Sequence, residues 1–364
     1  MVAAMSAFSP LNGPSMADSW PMARVRPGMS AVPIDHAIDL AFFFPEEGRE
    51  RNDVLLVETR RHLGGCVTAI ETGLRLSLEA SAAGAALLAA RPEPLCWPAL
   101  CAQPTLLSPA LLAHMQMRAG VSLMLRQTGR PEDHPGETEA EALFAAGDQA
   151  LDEALAAMAL AEARWLMAGG EHQAMHPDLP AAHYTELVWT AAACLAAVAQ
   201  QDHPAEAQAM LSLFEEAGWA MLGRHDEQAG PIAAADRLVQ RLGERADAPD
   251  LIGAALAQRR FLLFAALAGR RLRMECMQVA DILVMGSVAQ VAALCRALGG
   301  SDADYRRLLV ALRPVRTTLS DGRIVGEAAR YQEISEAQAD AMVSNLRAPA
   351  ALRVKLEHLR RTMV

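Results

Sequence analysis

The sequence predicts an all-α protein made of stacked antiparallel helix pairs, and three observations predict it. Hydrophobic residues make up 52% of the 364-residue chain but aromatics only 4%, with Ala and Leu carrying most of the apolar count. Ala and Leu are the best helix formers, whereas sheets need β-branched and aromatic side chains. Between Leu251 and Leu312 apolar residues recur at helical spacing: Leu256, Leu263 and Leu267; Cys276, Val279, Ala280 and Leu283; Val288, Val291, Ala292 and Cys295; Tyr305, Leu308, Leu309 and Leu312. The last three sets fall at i, i+3, i+4 and i+7, one apolar stripe per short helix. Helices this short are marginal alone, so each must bury its stripe against neighbours. Prolines recur, finally, at first turns ahead of apolar-periodic runs: Ser108-Pro109, Asp202-His203-Pro204, Ala248-Pro249 and Ala348-Pro349.

In chain order, residues 1–35 carry five prolines and five methionines, a composition expected of a disordered leader, within which Met29 offers a later start. Residues 36–130 form an N-terminal helical region. Its long pattern from Glu46 to about Ala80 contains Gly64-Gly65, where a kink or break is expected. Residues 129–138 hold two prolines, two glycines and no apolar residue, the signature of a linker. The core, 139–314, starts with a helix pair from Glu139 to Leu166, followed by helices over 181–200, 205–222 and 233–242. Within 315–364, Ser320-Asp321-Gly322 signals a turn, either a small hairpin or a loop. Ser335-Glu336-Ala337-Gln338 is a capping box, and a last helix runs from Pro349 to about Arg361.

A net charge of −10 argues against nucleic-acid or anionic-membrane binding, both of which need a basic surface. No apolar run reaches the 18 or so residues of a membrane span, the longest being Thr190–Ala199 and its surroundings, and no secretory signal opens the chain. Cys66, Cys96, Cys101, Cys194, Cys276 and Cys295 are scattered, as expected of reduced thiols in a cytoplasmic protein.

The segments Phe261–Gly269, Val288–Gly299 and Tyr305–Leu309, together with the proline-bounded Gln103–Leu112, resemble domain-of-unknown-function family 2336, helical HEAT-like repeat proteins of alphaproteobacteria. The resemblance spans about residues 50 to 345. It implies a degenerate α-solenoid and brings no chemistry or functional residues with it.

Three constellations are candidates for function. Glu171, His172, His176, His183 and Glu186 are the densest polar group. On a helix His172 and His176 would share a face as metal ligands do, although Gly169-Gly170 and Pro177 bracket them into a loop. His62 follows Glu58 by four residues, a spacing that suits an exposed phosphoacceptor oriented by an acid and equally a simple i,i+4 pair. Arg259, Arg260, Arg270, Arg271, Arg273, Arg306 and Arg307 could line a site for an acidic partner, or else be solvated faces complementing helix C-termini. No phosphate-binding loop, nucleophile elbow or H-E-x-x-H helix occurs. The expectation is therefore a cytoplasmic, non-enzymatic scaffold for protein–protein interaction without a cofactor. The alternative is a helical signalling protein using His172, His176, His183 and Glu186 for metal, or His62 for phosphotransfer.

Overall fold

The computed structural model describes residues 54–79, 91–126, 148–166, 170, 172–202, 204 and 207–348, with Leu352, Leu356 and Leu359 besides. The expected leader, the linker at 129–138, Glu171 and all but three residues of the C-terminal helix lie outside them. Among the described residues there are fourteen α-helices and no strand. They are α1 (Val54–Leu78), α2 (Cys96–Ala102), α3 (Pro109–Arg126), α4 (Gln149–Leu166), α5 (Ala181–Asp202), α6 (Ala207–Leu222) and α7 (Pro231–Leu242). The remainder are α8 (Pro249–Ala257), α9 (Phe261–Leu272), α10 (Cys276–Met285), α11 (Val288–Ala297), α12 (Asp302–Ala311), α13 (Asp321–Gln332) and α14 (Glu336–Leu346).

The apolar stripes of the Leu251–Leu312 stretch do face inward: all of those residues are buried except Leu256 and Val288, which are half-buried. They belong to the larger of two hydrophobic cores, formed by α4 and α7 to α14. The smaller core joins α1 and α2 to α5 and α6. Helix α3 belongs to both. Leu111, Leu112 and Met115 enter the smaller core, while Met117, Val121, Met124 and Leu125 enter the larger. Such a helix is buried all round, so every polar residue on it must find an internal partner.

Three local expectations are corrected. Helix α1 runs unbroken through Gly64-Gly65. A Cβ on Gly65 would lie 2.5 Å from Met175 Cγ and 2.9 Å from the Gln173 carbonyl, so this glycine admits a crossing chain rather than a kink. The stretch around Ser320 is neither hairpin nor loop: Ser320 accepts a hydrogen bond from the Arg323 amide and starts α13. The piece read as one helix across Leu256–Leu267 is two, because Arg259 has φ 55°. There the Arg260 and Arg259 amides donate to the Ala255 and Leu256 carbonyls, and at the end of α9 Met274 and Arg273 (φ 53°) repeat the arrangement on Gly269 and Arg270. This is the Schellman stop, normally built on glycine.

Helix starts are well legible. Ser287, Ser301 and Ser335 each form a reciprocal capping box with Gln290, Asp304 and Gln338. Ser108 Oγ accepts from the Leu111 amide at the start of α3. At the stops, left-handed arginines carry strain that glycine would not. Arg273→Gly is therefore expected to raise the unfolding free energy by about 1 kcal/mol in urea titration. A loss instead would mean that the Arg273 side chain more than compensates for its backbone.

Candidate functional site

The two cores meet around α3, and the polar residues of that helix settle there. Arg118 and Ser122 are each 0% exposed, as is His62 on α1, with Glu58 at 4%. Arg118 Nε donates to His62 Nδ1 at 3.0 Å, so His62 carries its proton on Nε2 and donates it to Glu58 Oε1 at 2.9 Å. Arg61 and Arg126 donate to the same Glu58 oxygen. The Ser122 hydroxyl lies 3.0 Å from it and 2.9 Å from the Trp165 carbonyl, with one proton to serve either. Burial, the largest influence, lowers the His62 pKa, the Arg118 charge adds to this, and the Glu58 hydrogen bond works against it. His62 is thus a neutral imidazole.

The rest of the Arg118 guanidinium ties in the segment between α4 and α5. Nη2 donates to the His176 carbonyl at 2.9 Å and Nη1 to that of Asp178 at 3.3 Å, while the guanidinium carbon sits 5.1 Å over the Trp165 ring. The Met175 amide donates to the Gly65 carbonyl at 2.9 Å, the close approach that the missing Cβ permits. Asp178 has a fully buried side chain whose Oδ1 is 2.8 Å from His176 Nδ1 and 3.2 Å from Arg164 Nη2. The junction therefore alternates acid and base across α1, α3, α4 and the 173–180 segment, and a buried charge network of this kind holds only when its members are paired.

The predicted site residues fare differently here. The expected exposed phosphoacceptor His62 is buried, and its one ring lone pair is taken by Arg118, so no nitrogen is free to attack phosphorus. His172, His176, His183 and Glu186 do not converge, and among the described residues no group of three or more His, Cys, Asp or Glu side chains could hold a metal ion. His172 is exposed and His176 faces Asp178. His183 lies against His114 with ring centroids 5.0 Å apart. Glu186 caps α3, accepting from the Ser108 amide and hydroxyl at 2.7 Å each.

The arginines do not form one cluster either. Arg259 and Arg260 precede α9 and Arg270, Arg271 and Arg273 end it, so a twelve-residue helix of about 18 Å separates them. Arg270 is paired bidentately with Asp247, Arg306 with Asp302 and Arg307 with Asp304. Sequence reasoning missed Arg118, Ser122, Trp165 and Asp178. The available signal was a charged residue and a serine four apart inside the otherwise apolar run of α3.

Fold and site define a class: an all-helical protein of two fused cores locked by a buried charge network. The chain belongs to a bacterial family of uncharacterised proteins, DUF2336, whose family model matches residues 133–344. The match runs through α4 to α13 and into α14, hence over Trp165, His176 and Asp178, whereas Glu58, His62, Arg118 and Ser122 precede it. No curated protein and no solved structure matches the chain.

Proposed function

We propose that this protein is a regulatory scaffold of the bacterial cytoplasm, a degenerate HEAT-like helical stack that docks a partner protein on the outer face of α6. The observation that carries the reading is Trp219, 60% exposed on that helix. Gly218 beside it lets the Trp189 ring of α5 press against α6, where a Cβ would come within 2.6 Å of that ring. Trp189 in turn holds Trp219 edge-on, with centroids 5.1 Å apart and planes at 75°. A large aromatic held rigid in water costs little further order on binding, and tryptophan is among the residues that dominate interface energies. Leu211, 44% exposed, and Glu215 share its face at helical spacing. With Glu215 between Leu211 and Trp219 and Glu216 beside them, the face suits a segment with an apolar anchor and Lys or Arg next to it.

The cytoplasmic placement draws support from six free cysteines, and among the described residues no helix is long and apolar enough to cross a membrane. A photo-crosslinker placed at Leu211 of the full chain, in its source cell, tests the docking face. The expected result is one reproducible adduct, reduced about tenfold or more by Trp219→Ala at unchanged thermal stability. Absence of an adduct, or an adduct indifferent to that substitution, overturns the reading.

A further inference from the structure

Two thiols meet where α2 packs on α5. Cys96 is the first residue of α2 and is 0% exposed, while Cys194 on α5 is half-buried. The Cys96 sulfur lies 3.5 Å from the Ala191 carbonyl oxygen. A helical carbonyl points toward the following turn, and Cys194, three positions on, stands beside it there. The two sulfurs accordingly share a side-chain hydrogen bond, donated by Cys96 and accepted by Cys194. Glu71, 3% exposed on α1, accepts from the Cys96 amide at 2.8 Å and from the Leu95 amide at 3.0 Å, and is itself held by Arg75. The backbone of Cys96 is thus anchored on α1 while its thiol reaches α5.

Other cysteines are placed differently. Cys66 and Cys276 are buried, and burial raises the pKa of each, while the Cys295 sulfur receives the Tyr331 hydroxyl. At Cys194 the hydrogen bond from Cys96 is the largest influence and lowers the pKa, with burial and the Glu71 charge working against it. Cys194 therefore carries more thiolate than an ordinary cysteine, and it is the less buried of the pair.

We infer that Cys96 and Cys194 are a peroxide-sensitive pair that closes reversibly to a disulfide joining α2 to α5. In the first step the Cys194 sulfur attacks one oxygen of hydrogen peroxide or an organic peroxide. An S–O bond forms, the O–O bond breaks, and the departing oxygen takes up the proton of the Cys194 thiol, leaving a sulfenic acid. In the second step the Cys96 sulfur attacks the Cys194 sulfur, and the hydroxide of the sulfenic acid leaves as water with the Cys96 proton. Two electrons pass from the two thiols to the peroxide, so that hydrogen peroxide ends as two waters. The hydrogen bond to Cys194, followed by burial, keeps Cys96 a thiol until then, and oxidation of Cys194 ends that hydrogen bond. A thiol reductant reverses the closure by exchange. In a reducing compartment such a bond is transient, as redox-sensing disulfides are. The pair is independent of the docking face on α6.

The test treats the reduced full chain with a small molar excess of hydrogen peroxide and maps its thiols by alkylation and mass spectrometry without reduction. The expected result is loss of two of the six thiols, a mass lower by two hydrogens, and a Cys96–Cys194 linkage that dithiothreitol removes. Cys101→Ser, on the same helix as Cys96, should leave the linkage in place. Cys96→Ser should leave Cys194 as a sulfenic acid that dimedone captures. The wild-type map stands on its own, so a variant that fails to fold leaves the test intact. The inference is overturned by a wild-type chain that keeps both thiols, that holds Cys194 as a sulfenic acid beside a reduced Cys96, or that links either residue to another cysteine instead.

Discussion

Glu58→Ala is expected to lower the unfolding free energy by about 3–5 kcal/mol, a large share of the stability of any domain. The carboxylate is 4% exposed and receives Arg61, His62 and Arg126, with the Ser122 hydroxyl within reach. Its removal strands a buried guanidinium and a buried imidazole N–H, which costs more than the lost attractions themselves. Glu58→Gln, which keeps the shape and one acceptor oxygen, should cost distinctly less. Urea unfolding at neutral pH measures both. A loss below about 1 kcal/mol in the alanine variant would show that the junction contributes little to joining the cores.

The second large effect is acid sensitivity through His114. Its folded pKa of about 3 lies below the ordinary 6.5, with burial the main cause and the His183 and Arg118 charges adding to it. The unfolded chain therefore binds the proton more readily. The stability contributed is fully present above pH 6.5 and is lost as pH falls from there toward 3. Between pH 7 and pH 5 this amounts to about 2 kcal/mol. Glu162 acts in the opposite sense: burial pushes its pKa up to about 7 from 4.5, so it loses stability as pH rises through that window. The wild-type curve alone would mix these with the lowered His62 and His183 and with Asp236, raised to about 6 by burial. The difference between wild type and His114→Gln isolates the histidine, and it should shift by about 2 kcal/mol between pH 7 and pH 5, the wild type losing more. A difference independent of pH would mean that His114 titrates normally.

Much of the helical framework was legible because it depends on local rules. The stripe Tyr305, Leu308, Leu309 and Leu312 is fully buried, and the capping box at Ser335 forms as its spacing requires. The same Ser-x-x-Gln or Ser-x-x-Asp pattern could have been read at Ser287 and Ser301. Stops were harder, because Arg259 and Arg273 take left-handed backbone that no glycine announces. Glycines misled in the other direction: Gly64-Gly65 reads as a break, but Gly65 is there for Met175, more than a hundred residues away.

Site residues were the least legible part. His62 and Glu58 do form the i,i+4 pair that their spacing allows, yet whether that pair faces solvent or the interior depends on Arg118, 56 residues onward. Charge count likewise could not distinguish Arg118, buried in a network, from Arg306, which pairs with Asp302 at the surface.

By itself the sequence determined that this chain is helical, where most of its helices begin, and which faces of them are apolar, since these follow from propensity, capping and periodicity within one or two turns. Only the tertiary structure decided that α3 belongs to two cores, that Glu58, His62, Arg118 and Asp178 meet between them, and that Cys96 meets Cys194. The physical reason is that burial, pairing and desolvation of a polar group are set by residues distant in the chain, whose approach no local pattern records.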